Sequence, residues 1–383
     1  MRIKSLRLNS VTGVLIALVL ANGDAKAATE VNTCGQVFAG SGFLAADLDC
    51  TGFPTDAVII DGGSLDLRGF TLTGGAQNGV GCARRCKVFS DPPGGRIVNS
   101  SLWGVAIGGV PSGPFSTRVR DVELDGNGGA VDAYRATIID TVVTNDSNPF
   151  ANTISADRIK LLRSNVTNTQ DGIVAGVVGG TIRVIDSILT ACGTTEDCIN
   201  AVDTVTVRNS TVNGAGDAGI VGTRVSVIDS EVSGNAGSGI DFFGGPERLR
   251  VIRSQIINNG GRGISGESAG HVVIKDSDVS GNALEGIFEL DVISIEGSTI
   301  TNNGRSGVST GNTAMFSLCD VQITDSTLSG NGTDLAVCGV SETCADVATC
   351  GQAPDLGGTT TCETSYDTDS GFPGTSWGVC SLD

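Results

Sequence analysis

The stretch VSVIDSEVSGNAGSGI, residues 225–240, decides the fold. Aliphatic residues alternate in Val225-Ser226-Val227, Ser230 follows Asp229, Asn235 comes five places later, and Gly239-Ile240 closes the phrase before the chain begins it again. With Ser230 as position zero, the equivalents are Phe70, Ser100, Val122, Thr141, Ser164, Ser187, Ser210, Ser254, Ser277, Ser298 and Ser326. Most intervals are 19–24 residues; those after Phe70 and Ser298 are longer and need insertions. Three places before zero, from Leu67 and Ile97 to Ile323, and two places after, from Leu72 and Leu102 to Leu328, all twenty-four residues are aliphatic.

The period within a phrase is two, so its pieces are strands. A unit of about 23 residues built of short strands cannot bury its apolar side alone and must stack on its neighbours. The Leu-rich consensus of a leucine-rich repeat is missing, and a propeller blade needs nearly twice the length. A parallel β-helix of about 12 coils remains, a single domain in which each aliphatic column forms an interior ladder, on the order of 55 Å long at ~4.8 Å per coil. Asn127, and then Asn235, Asn259, Asn282, Asn303 and Asn331 in consecutive coils, stand five after zero. Asn tolerates left-handed turns and can bond its equivalent above and below, so these residues are expected to form a structural ladder rather than a row of sugar-binding amides. Gly219, Gly239, Gly263, Gly286 and Gly307, nine after zero, read as corners.

Arg2, Lys4 and Arg7, the apolar run Val11 to Leu20 and Ala25-Lys26-Ala27 make residues 1–27 read as a signal peptide cleaved near Ala27. The run is too short to span a bilayer, so a secreted, periplasmic or cell-surface protein without a membrane span is expected. All 12 Cys follow that site, which points to disulfides. Local pairing gives Cys34–Cys50, Cys82–Cys86 pinning a protruding loop, Cys192–Cys198 and Cys319–Cys338, and leaves Cys344, Cys350, Cys362 and Cys380 unassigned. Residues 28–64 read as an N-terminal cap, 65–338 as the β-helix and 339–383 as a Cys-rich cap or tail, since open stack ends need covering. Net charge of −18 becomes about −21 without the signal, which disfavours nucleic acid and anionic lipid as partners. No cofactor or metal motif is present; calcium remains open but has no motif.

The phrases TIRVIDSILT, RVSVIDSEVSGNAGSGI and VVIKDSDVSGNALEGI, with DLDCTG…LDLRGFTLTG near the start, resemble the right-handed parallel β-helix repeats of the pectin lyase-like superfamily over most of residues 60–336. That resemblance implies the right-handed fold and leaves function open among pectate lyases, polygalacturonases, alginate epimerases and lyases, copper-site maturation proteins, adhesins and tailspikes. Arg158-Ile159-Lys160 spells the R-I-K of polygalacturonases, but their N-T-D, Asp-Asp and G-H-G motifs are absent, as are the D-P-H of the epimerases and the R-x-P-x-x-R of the pectate lyases.

Chemistry is sought where the repeat is irregular, in DFFGGPER, SGESAGH and FELD. Stacking is expected to bring Arg248, Glu267, His271 and Asp291, with Glu289, near one another, where a base, a cation and carboxylates suit proton abstraction beside a uronate. The same column elsewhere holds Arg158, Thr181, Thr204 and Arg224, as a solvated face would. Asp229, Arg253 and Asp276 read as a charge ladder, and Leu162, Ile185, Ile228 and Ile252 as an apolar stripe. The function expected is binding of an extended polymer, polysaccharide first, with a polysaccharide lyase or hydrolase and an adhesive rod as alternatives.

Overall fold

The computed structural model describes residues 27–107, 115–144, 152–167, 177–193, 195–243, 247–266, 270–289, 292–310, 320–337, 353–367 and 376–383. Residues 1–26 of the expected signal segment, and Glu267, Asp291, Cys319, Cys338, Cys344 and Cys350, lie outside them. Among the described residues every strand pairs in parallel, forming a 13-stranded narrow sheet and a 24-stranded broad sheet. The broad sheet has two strips: one holds short strands such as Ile240–Phe242 and Ile264–Gly266, the other Arg224–Ile228, Glu247–Ile252 and Gly270–Lys275.

Each coil repeats the same bonding. Val227 pairs with Val251 and that with Ile274 in the broad sheet, while Val232, Ile256 and Val279 stack in the narrow one, all but wholly buried. Each such side chain contributes roughly 1.5–3 kcal/mol of burial free energy, so the core is one continuous column. Between the sheets the chain turns through the residue before zero, which is left-handed in coil after coil from Asp121 to Asp325, with φ from 46° at Arg163 to 58° at Gly297. Asp and Asn visit this region more readily than most L-residues, which explains Asp140, Asp186, Asn209, Asp229, Asp276 and Asp325 there. Arg163 and Arg253 are less suited, and each gains two short bonds to the Asp one coil earlier, 2.7 Å and 2.7 Å to Asp140, 2.7 Å and 2.9 Å to Asp229. The zero Ser then locks the corner. Ser230 Oγ donates to Ile228 O at 2.7 Å and accepts from Ser210 N at 3.2 Å, while its own N–H donates to Ser254 Oγ at 3.2 Å.

The Asn column is a buried ladder: Nδ2 of Asn235, Asn259, Asn282 and Asn303 donates to Oδ1 of the next Asn at 2.8–2.9 Å. The same Oδ1 atoms accept backbone N–H groups, and Asn235, Asn259, Asn282 and Asn303 are buried, so no glycan can reach their amides; Asn331, at the end of the column, is half-buried. The left-handed residue is the one before the Asn, such as Asn258 or Gly234, and not the Asn itself. Gly219, Gly239, Gly263, Gly286 and Gly307 are not left-handed corners either. A Cβ on Gly239 would lie 2.7 Å from Asn259 Nδ2, Gly263 O and Ile256 Cγ2, so glycine is needed there for clearance beneath the ladder.

The first coils depart from the expected alignment. Ile97 pairs with Leu72 and Leu124, which makes Gly95 the true zero of that coil, and Leu102 is 44% exposed. The ladder below Val119 continues through Val88 and Leu65, not Ile97 and Leu67, because these corners are longer. The segment read as an N-terminal cap adds a further rung, Leu48–Cys50 pairing with Thr71–Gly74. At the other end Asp355–Gly357 and Ser365–Asp367 extend the broad sheet, and Thr361 bridges to Thr327.

Disulfides join Cys34–Cys50, Cys82–Cys86, Cys192–Cys198 and, with no counterpart in the sequence reading, Cys362–Cys380. Cys82–Cys86 connects the buried ends of consecutive strands, so it fastens the bend between the two strips instead of a protruding loop. Replacing Asn282 by Ala should lower stability by on the order of 3 kcal/mol, because the Asn259 N–H and Nδ2 would lose their shared acceptor and Ile256 O its side-chain donor, all of them buried; urea unfolding measures it, and an unchanged midpoint would remove the ladder from the account of stability.

Candidate functional site: a basic strip on the broad sheet

Alternating strand residues point outward, so each outward position repeats as a column from coil to coil. On the second strip the outermost column runs Arg135, Arg158, Thr181, Thr204, Arg224, Arg248, His271. The middle column runs Lys87, Arg118, Thr137, Lys160, Arg183, Thr206, Ser226, Arg250, Val273. Nearest the corner are Phe89, Arg120, Ile139, Leu162, Ile185, Arg208, Ile228, Ile252 and Lys275.

These columns hold twelve Lys or Arg and no carboxylate, half the 24 cations of a chain whose net charge is −18. Four are met from neighbouring positions: Arg120 by Asp121 at 3.1 Å, Arg158 by Asp157 at 4.0 Å, Arg224 by Asp203 at 3.2 Å and Lys275 by Glu296 at 2.8 Å. Arg118, Lys160, Arg183, Arg208, Arg248 and Arg250 are exposed, and no carboxylate of the described residues lies within ion-pair distance of them. Beyond His271 the strip changes character, to Val292, Ser294 and Glu296 and then Asp320, Gln322 and Thr324. A cationic band on rigid strands therefore crosses nine consecutive coils, with acidic corners along one side.

Of the expected cluster, Arg248 and His271 are cross-strand neighbours and both are exposed. The next partner of His271 is Val292, so the ladder gives it no carboxylate, and the strand Ile287–Glu289 lies on the other strip. Arg158 and Lys160 face outward around buried Ile159, which places the R-I-K triplet within the basic band. Leu162, Ile185, Ile228 and Ile252 are half-buried beside the corner. The sequence reading took the outermost column as a row and the corner column as an apolar stripe; the middle column, with Arg118, Lys160, Arg183 and Arg250, needed the same alignment read two positions further on from the outermost one.

The other strip has a different character. Asp197 accepts from Asn200 Nδ2 at 2.9 Å and Ala218 N at 3.1 Å. Burial pushes its carboxyl up to about 6; those two bonds oppose the rise and the charges of Asp217 and Asp241 add to it. Further along, Arg262 lies 3.9 Å over the Phe288 ring and donates to Glu285 at 2.9 Å, with Arg305 at 3.4 Å from the same carboxylate. Burial works to raise the Glu285 carboxyl, and the two guanidinium groups together with its own backbone N–H more than offset it, leaving it below the usual carboxylate value. Among the described residues no group of three or more His, Cys, Asp or Glu is arranged to hold a metal ion.

Because the folded protein holds the Asp197 proton more tightly than the unfolded chain, this residue favours the fold most below its unfolded pKa, and that contribution is lost as pH rises from about 4 to about 6. Thermal melting of Asp197→Asn and the native protein should therefore diverge over that window, the native protein losing ground toward pH 6; parallel curves would contradict the assignment.

Residues 198–348 match the family model described as a right-handed β-helix region. Among solved structures, the periplasmic alginate epimerase AlgG aligns over 79% of this chain and 76% of its own, at 14% identity and a TM-score of 0.44. The A-module of the Azotobacter vinelandii mannuronan C-5 epimerase AlgE4 aligns over 87% and 91%, at 14% identity and 0.37. Pectate lyase Pel9A aligns over 90% and 82%, at 12% identity and 0.29. No curated protein matches the chain. These likenesses assign no activity, but the coil-by-coil pairing and the matched repeat region together make the chain a right-handed parallel β-helix.

Proposed function

We propose that this is an exported rod that binds an extended, negatively charged polysaccharide along the basic strip. The observation that carries the reading is the band of twelve cations without a carboxylate in the same columns, on an otherwise acidic molecule. Its guanidinium and ammonium groups recur at the coil spacing of ~4.8 Å, a scale that suits one charged sugar per coil or two. Each exposed contact is weak, about 0.2–1 kcal/mol, but strand residues are already ordered, so several engaged together give useful affinity at small entropic cost. The disulfides accord with an oxidising compartment, and no helix of the described residues is long and apolar enough to cross a membrane. The reading calls for no cofactor.

A second reading, lyase or hydrolase action on a uronic-acid polymer, is favoured by one feature: the chain's single His stands in this band beside Arg248. Unsaturated products or new reducing ends that vanish in His271→Ala would establish it.

Titration with polyuronates and sulfated glycans should give affinities that fall steeply with salt. The pair Arg183→Ala and Arg250→Ala should weaken binding five- to thirtyfold, about 1–2 kcal/mol, while Arg305→Ala, off the strip, leaves it unchanged. Equal binding by all three proteins, or affinity indifferent to salt, would overturn the reading.

A further inference from the structure

The corner beside the basic strip holds a groove of about 610 Å³ that crosses four consecutive coils. Asp186, Asn209, Asp229 and Arg253 form one wall, Ile188, Thr211, Glu231 and Gln255 the other, and Ser187, Ser210 and Ser230 the floor. The floor hydroxyls are committed to the corner ladder. On the walls, Asn209 Nδ2 donates to Asp186 at 3.1 Å, Arg253 closes on Asp229, and Ser233 Oγ donates to Glu231 at 2.6 Å. The Thr211 hydroxyl and the Gln255 amide have no hydrogen-bond partner among the described residues, and Ile188 is 48% exposed.

We propose that this groove is a second binding site, for a short uncharged, hydroxyl-rich glycan segment. Its chemistry is the opposite of the strip's. Three carboxylates face one guanidinium, and that guanidinium is neutralised by Asp229, so the groove repels the polyanion that the strip attracts. Uncharged sugars suit it: carboxylate and amide oxygens accept from hydroxyls, Thr211 and Gln255 donate to them, and Ile188 offers an apolar contact to a ring's C–H face. The volume falls within the range of small-ligand sites, roughly 300–1,000 Å³. Four coils span about 14 Å, room for about three sugars in line. The rod would then hold charged and uncharged stretches of a mixed polymer, or two different polymers, on adjacent surfaces.

Calorimetric titration with uncharged oligosaccharides of glucose, mannose, xylose and N-acetylglucosamine, in about 1 M NaCl where the Debye length is ~3 Å, isolates the groove from the strip. At least one should bind saturably, Thr211→Trp should weaken it tenfold or more by filling the groove, Gln255→Ala should weaken it severalfold, and the Arg183→Ala, Arg250→Ala pair should leave it unchanged. Urea unfolding of each variant confirms that the fold is kept. Saturable binding by none of the panel, or native-like binding by both Thr211→Trp and Gln255→Ala, would overturn the proposal. Polyanion binding at low salt, measured on the same proteins, reports separately on the strip.

Discussion

Everything in this molecule depends on the parallel pairing of one coil with the next in a single register. Each coil advances by one strand spacing, and any side chain that recurs at a given place in the repeat is set directly above its equivalent. The aliphatic ladders supply most of the free energy, but they are tolerant: Val, Leu and Ile exchange freely along them. The polar ladders are less forgiving. The Ser corner and the Asn column satisfy backbone N–H groups that a bent coil would otherwise bury without partners, and they do so only if neighbouring coils keep step. Register is thus enforced where slippage costs most.

The same stacking turns modest sequence biases into surface features. One Arg or Lys per coil is unremarkable in a single repeat, yet stacked it becomes a band more than thirty ångströms long, at roughly 4.8 Å per coil over nine coils. The Asp at the left-handed corner is chosen for backbone reasons, and its repetition produces an acidic ridge alongside that band. Net charge conceals both. A value of −18 argues against polyanions for the molecule as a whole, whereas the local field over the strip favours them.

How much was legible followed from how local each signal is. The inward columns three before and two after each Ser could be read directly from Val119 to Leu328, because hydrophobic alternation survives any corner of fixed length. It failed at Ile97 and Leu102, where longer corners shift the frame. The Asn column was visible as a repeat, and its burial followed from stacking. The reason for Gly239 was not visible, since the atom it must clear belongs to Asn259 in the next coil. The site was half legible: Arg248 and His271 do meet, but the band they belong to exists only once the outward columns are aligned across coils. The Cys362–Cys380 bond had no local signal, being one of several pairings open to four cysteines.

Arginine footprinting tests the account most directly. Modification of guanidinium groups, read by peptide mass spectrometry with and without a bound polyuronate or sulfated glycan, should show protection at Arg118, Arg183, Arg208 and Arg250 together, and none at Arg96 or Arg305. Protection spread evenly over all arginines, or confined to those outside the strip, would contradict the claim that coil stacking has built a polyanion-binding face.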